Sequence, residues 1–330
     1  MADDPFAHLA EHGIRRLSIP TPFAVGRVNL FLIEDDPLTL VDSGPNSGRS
    51  LDELDRQLQA LGRRIEDIER IVITHQHIDH IGLVQIVASR SGADVAALDR
   101  LVPFVENYSD EAAAEDDFAT EVMLRHGISE DVTRALQSVS LAFRAWGARA
   151  NVTEVLRDGE LLEFAGRALE VHYRPGHSAT DTIFLDAERG LLVGGDHLLA
   201  QVSSNPLLSR ALDGADRREA LVEYLDSLRQ TREMEIALVL PGHGDPIDDH
   251  RALIDDRLRL HRRRADKIHR LIAERPRTAY EVAQALWGNI AVTQAFLTLS
   301  EVLGHTDLLI RDGRVTAEDD GGRVRFHAVA

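Results

Sequence analysis

The sequence predicts an α/β protein with a helical insertion and a C-terminal helical unit closed by a two-stranded wing. Three observations lead there. Short β-type runs recur between Gly-, Pro- and Asp-bearing turns as far as Leu240. From about Pro103 to Ala150 the pattern is helical instead and carries Phe104, Phe118, Met123, Phe143 and Trp146. From Asp249 onward it is helical again, ending in the runs Leu308–Val315 and Arg323–Val329, which resemble a wing.

Taken in order, β-type residues run from Leu17 to Val41. Val28–Ile33 and Leu38–Val41 form a hairpin about the turn Glu34-Asp35-Asp36-Pro37, which leads into Asp42-Ser43-Gly44. Leu51, Leu54, Leu58 and Leu61 repeat at helical spacing and predict a helix over Ser50–Leu61. Ile71-Val72-Ile73 reads as a buried strand running into Thr74-His75-Gln76-His77-Ile78-Asp79-His80, with a helix over about Ile81–Arg90. Beyond the insertion, strands are expected at Val152–Leu156, Leu161–Phe164, Leu169–Tyr173, Thr182–Asp186, Leu191–Gly194 and Ile236–Leu240. Thr278-Ala279-Tyr280-Glu281 fits a capping box opening a helix, and a further helix is expected over about Val292–Leu303. The division expected is a domain over 1–250, containing the insertion at about 103–150, and a second over 251–330.

Composition narrows the function. The 330 residues are 44% hydrophobic and 28% charged, which suits a globular chain with a sizeable core and excludes a disordered or fibrous one. A formal net charge of -18 opposes general affinity for nucleic acid. With Cys 0, disulfides and thiolate ligands are excluded, so a metal would be held by His, Asp or Glu. The start MADDPFAHLAEHG lacks the basic and apolar parts of a leader, and no run approaches a membrane span, so a cytoplasmic protein without a membrane partner is expected.

The His-x-His-x-Asp-His stretch places four imidazole or carboxylate donors at one strand end, and these suit a zinc-like divalent ion. His177 in Pro175-Gly176-His177, Asp196 in Gly194-Gly195-Asp196 and His243 in Pro241-Gly242-His243 repeat one pattern: an apolar strand stops, Gly frees the backbone and one donor follows.

On these motifs, over about residues 15–250, the chain resembles the metallo-β-lactamase fold metallohydrolases. The resemblance implies an αββα sandwich of two β-sheets with the site at one edge. It implies two divalent ions, zinc with iron or manganese as alternatives. His75, His77 and His177 would hold the first, Asp79, His80 and His243 the second, and Asp196 would bridge them. Asp42 matches the family's early acidic motif and would orient the metal loop through hydrogen bonds. A metal-bound hydroxide would attack a carbonyl, with Asp79 as the catalytic residue that orients it. A donor set without cysteine resembles the binuclear glyoxalase II-like branch, and the tail resembles the winged-helix-like unit of the lactamase-beta-2-like branch. The expected function is therefore that of a hydrolase of a small-molecule thioester or ester. A lactonase and a metal-dependent nuclease acting on RNA are the alternatives. The basic run His261-Arg262-Arg263-Arg264 with Lys267 reads as a solvated helix face or a contact for an anionic handle. Tails of this kind also serve as dimer surfaces, so a homo-oligomer is a second use for the C-terminal unit.

Overall fold

A computed structural model describes residues 5–211, 217–288 and 294–329. The apolar runs become strands of two sheets. The first holds β1 (Ile14–Ile19), β2 (Val28–Ile33), β3 (Thr39–Val41), β4 (Arg70–Val72), β5 (Asp94–Leu98) and β6 (Glu154–Leu156) in that spatial order. β1, β2 and β3 pair antiparallel, whereas β3 to β6 run parallel. The second holds β7 (Leu161–Glu163), β8 (Ala168–Tyr173), β9 (Thr182–Asp186), β10 (Leu191–Gly195) and β11 (Leu238–Pro241), with only β10 and β11 parallel. Leu30, Ile71 and Val95 of the first sheet and Val171, Phe184, Val193 and Leu240 of the second share one buried core. This is the expected two-sheet α/β architecture. The helix Gly48–Ala60 begins on a Ser47 cap and buries Leu54 and Leu58 in that core.

Strand ends set the position of the site. Asp42 follows β3, the histidine stretch follows β4, His177 lies in the β8–β9 connection, and Asp196 and His243 follow β10 and β11. Backbone hydrogen bonds tie these ends together: Thr182 N–H donates to Thr74 O at 2.9 Å and Gly242 N–H to Gly195 O at 2.7 Å. Gly242 is required by packing, since a Cβ there would lie 2.3 Å from Asp196 Oδ1.

By its contacts the chain forms two units whose segments interleave. One comprises Met1–Glu111, Arg144–Ser204 and Glu233–His250; the other Ala112–Phe143, Asn205–Arg232 and Arg251–Ala330. Whereas the sequence reading keeps 103–150 with the first 250 residues, its middle part clusters with the tail. Val122, Met123 and Leu136 join Ile268, Val282, Leu299, Leu303 and Phe326 in a core of the second unit, with Phe118 packed against it. Phe104 belongs to the core of the first unit. Those aromatic and sulfur side chains therefore have structural partners of their own.

The second unit is built from helices that include Ala220–Arg232, His250–Glu274, Ala279–Trp287 and Ala295–Arg311, and from the antiparallel pair β12 (Val315–Asp320) and β13 (Arg323–Ala328). Thr278 and Glu281 form the expected capping box. The expected wing strand over Leu308–Val315 is corrected. Leu299, Val302, Leu303 and Leu309 keep the helical period, so the helix runs on to Arg311 and the strand begins at Val315. The expected helix start at Val292 lies outside the described residues. Among the described residues no helix is long and apolar enough to cross a membrane.

Candidate metal centre

All seven expected donors meet. His75 Nε2 and His177 Nε2 stand 3.1 and 3.0 Å from His77 Nδ1. A tetrahedral ion with bonds of ~2.0–2.1 Å keeps its nitrogen ligands roughly 3.3 Å apart, close to this triangle. On the other side, His243 Nε2 lies 3.3 Å from Asp79 Oδ2, and His80 Nε2 lies 3.5 Å from Asp196 Oδ1. Asp196 stands between the groups, its Oδ2 3.5 Å from both His177 Nε2 and His243 Nε2.

Asp42, buried and at φ 60, ties the two groups from behind. Its Oδ1 accepts from Thr74 N–H at 2.9 Å, and its Oδ2 accepts from Thr74 Oγ1 at 2.8 Å and from His80 Nδ1 at 2.7 Å. A carboxylate can only accept, so His80 carries a proton on Nδ1, which leaves Nε2, turned towards Asp196, as the atom that a metal would take. Having given its own proton to Asp42, the Thr74 hydroxyl accepts from His75 Nδ1 at 3.0 Å. His75 Nε2 is thus a lone pair. One carboxylate sets the tautomer of a histidine in each group. Sequence reading misses Thr74, for which the only signal is its place between the strand and the first histidine.

The groups differ electrostatically. Burial first, then the rings of His80 and His77, holds His75 well below the ordinary imidazole value. Burial and His177 bring His77 down to about 3. Both are neutral at pH 7 and offer lone pairs. Burial also pulls on His80, but Asp42 and Asp196 override it and raise the group well above its ordinary value. Against burial, Asp196 and Asp79 raise His243 as well. Asp196 is buried too, yet His243 and His80 hold it well below the usual carboxylate range. The field that would keep protons on His80 and His243 equally favours a cation in their place.

The residues fit a metal. His77 Nδ1 can share a proton with only one of its two neighbours, and His75 Nε2 has none to give. Because His77 Nδ1 has a single in-plane position, the two close N···N contacts cannot both be well-formed hydrogen bonds, whereas a cation among the three nitrogens satisfies all of them. Across the site His80 Nε2, His243 Nε2 and Asp196 Oδ1 are buried without a hydrogen bond, a costly state that coordination relieves.

A second donor group, His261, Glu301 and His305, lies in the other unit, and the donor atoms that face one another there are already paired. His305 Nδ1 donates to Glu301 O at 2.6 Å, His261 Nδ1 lies 3.2 Å from His305 Nε2, and Arg264 pairs with the Glu301 carboxylate. Two members of the basic run are thereby turned inward, while Arg262, Arg263 and Lys267 stay exposed.

Burial, helped by Arg217 and Arg125, lowers His126 to about 3, and burial with His305 lowers His261 to about 4. Since the folded values lie below 6.5, the unfolded chain takes up these protons first. The stabilisation is complete above pH 6.5 and is lost as pH falls towards 4 and 3. Urea unfolding of His126→Gln and the parent between pH 7 and 5 should converge as pH falls. The parent's extra loss is up to roughly 2 kcal/mol, at ~1.4 kcal/mol per pKa unit. Equal slopes for the two would refute the assignment.

A family model described as the metallo-beta-lactamase superfamily matches residues 24–243. The chain belongs to that superfamily and is a metallohydrolase of its fold, one that implies binding of divalent metal. It is 33% identical over 310 residues to a probable metallo-hydrolase, YqjP, of Bacillus subtilis, covering 94% of this chain and 96% of that one. The crystal structure of a metallo-beta-lactamase family protein from Thermus thermophilus superposes with TM-score 0.81 at 28% identity, over 96% of this chain and 99% of the other. An atrochrysone carboxyl ACP thioesterase of Aspergillus fumigatus is 26% identical over 144 residues, 44% of this chain and 41% of that one.

Proposed function

We propose that the chain is a binuclear hydrolase of small thioesters or esters. The observation that carries this is the single carboxylate, Asp196, whose Oδ2 stands 3.5 Å from a histidine of each group. In this reading His75, His77 and His177 would hold one ion, Asp79, His80 and His243 would hold the other, and Asp196 would serve both. Two divalent ions, zinc first and iron or manganese as alternatives, would supply Lewis acidity and water activated near neutral pH.

The chain's own residues do the rest. Asp79 is kept ionised against its burial by the neighbouring His243 and His80, so its carboxylate can orient a water and take its proton. Asp42 and Thr74 hold the lone pairs of His80 and His75 towards the centre. Asp42 thus acts through the histidines it orients.

Two observations favour a thioester or ester over RNA: the thioesterase relative and the net charge of -18, which repels a polyanion. A lactone presents a similar carbonyl and belongs to the same test. Metal-loaded protein is assayed on acyl-coenzyme A, acylglutathione, lactone and RNA substrates. Turnover of one or both thioesters is expected, lost with a chelator and restored by zinc or manganese. Cleavage of RNA alone would replace this reading with the nuclease, turnover of lactone alone would narrow it to a lactonase, and a chain that takes up no metal would end it.

A further inference from the structure

β2 is buried at every position from Val28 to Ile33, and all but one of its side chains are apolar. The exception is Asn29, 3% exposed. A buried primary amide is costly unless its donors are used, and here each is spent on one short segment. Asn29 Nδ2 donates to Pro241 O at 3.0 Å and to Gly244 O at 2.9 Å, while its backbone N–H donates to Gly242 O at 2.6 Å. The acceptors surround His243. That ring is tied to the same part of the chain, with Nδ1 2.9 Å from Arg27 O. A carbonyl only accepts, so His243 carries its proton on Nδ1 and its Nε2 lone pair faces Asp79 Oδ2, 3.3 Å away.

We infer that Asn29 is a positioning residue for the second donor group. It clamps the Pro241–Gly244 loop across His243, and the Arg27 carbonyl sets the ring's tautomer. The first group leans on other supports: Thr74 holds His75 Nδ1, and Thr180 donates to the Gln76 side chain between His75 and His77. Asp42 and Asp196 serve both groups, but the loop that carries His243 has this support of its own, and a change at Asn29 acts on the second group. This inference rests on the binuclear reading above.

In Asn29→Asp the shape is kept, but a carboxylate oxygen replaces the amide nitrogen against two carbonyl oxygens. Asn29→Ala removes the clamp without adding charge. Apo protein is titrated with Co2+, following the d–d absorption and the heat of binding, for the parent, both variants and His243→Ala. The parent should show two binding steps. Each Asn29 variant should weaken one of them by roughly 10–100-fold, the size expected for a hydrogen-bond partner of a metal ligand. The other step should stay as in the parent, and the weakened step should be the one that His243→Ala removes. Parent-like binding in both steps overturns the inference. Equal weakening of both steps overturns it too, as does loss of the folded circular dichroism spectrum in both variants with Co2+ present, because Asn29 would then support the fold at large. A parent that takes up no Co2+ fails the metal reading itself, and that result needs no Asn29 variant.

Discussion

Asp196→Asn should empty both metal positions and lower kcat/KM by at least roughly 100-fold, since even a hydrogen-bond partner of a metal ligand typically costs 10–100-fold. Asp196 is buried, and its carboxylate faces His80, His177 and His243 at 3.5 Å. The substitution removes the negative charge that balances the second group and sets an amide N–H₂ towards nitrogen atoms meant to face a cation. Because the same oxygen serves His177 and His243, the loss should spread to both groups. His77→Ala, by contrast, should chiefly empty the first. Metal content by elemental analysis, with kcat/KM on the best thioester, checks both. Full occupancy and full rate in the Asp196 variant would remove this residue from the centre.

The stretch from His75 to His80 is legible in the sequence because its donors are close in the chain. His177, Asp196 and His243 are legible for a different reason, since each follows an apolar strand and a glycine. The supporting residues are another matter. Thr74 and Asn29 act through hydrogen bonds made only after distant segments meet, and Asn29 grips a loop more than 200 residues away. Its one local sign is a polar residue in an otherwise apolar run.

Elements were missed where local preference and tertiary context disagree. Asp94-Val95-Ala96-Ala97-Leu98 is poor strand material, yet it pairs on both sides with β4 and β6 and is buried there from Val95 on. Leu308-Leu309-Ile310 is a short apolar run that suits either helix or strand, and the packing of Leu309 with Leu299 and Leu303 decides for helix. The helix Ala220–Arg232 is not foreseen at all, although eight of its thirteen residues are buried. The interleaved units were equally hidden, because periodicity shows that Val122 and Met123 face a core without showing that it also contains Leu299 and Phe326.

Asp42→Asn should impair the centre as severely as Asp42→Ala, although it is nearly isosteric. The amide oxygen can keep the Thr74 N–H, but the Nδ2 group would take the place of the Oδ2 that accepts from both Thr74 Oγ1 and His80 Nδ1. Donor would face donor. The simplest relief moves the His80 proton to Nε2, the atom turned towards Asp196, so a proton would occupy the position of a metal bond. Thr74, freed from Asp42, would no longer have to accept from His75, and the lone pair of the first group would lose its guarantee as well. Asp42→Ala removes the acceptor altogether and also places alanine at φ 60, where aspartate is better tolerated. Both variants should bind the ions roughly 10–100-fold more weakly. Co2+ titration measures that weakening, and kcat/KM at saturating metal shows whether activity returns when mass action refills the sites. If Asp42→Asn bound both ions as the parent does, the tautomer argument would fail, and Asp42 would be no more than a turn aspartate at the end of β3.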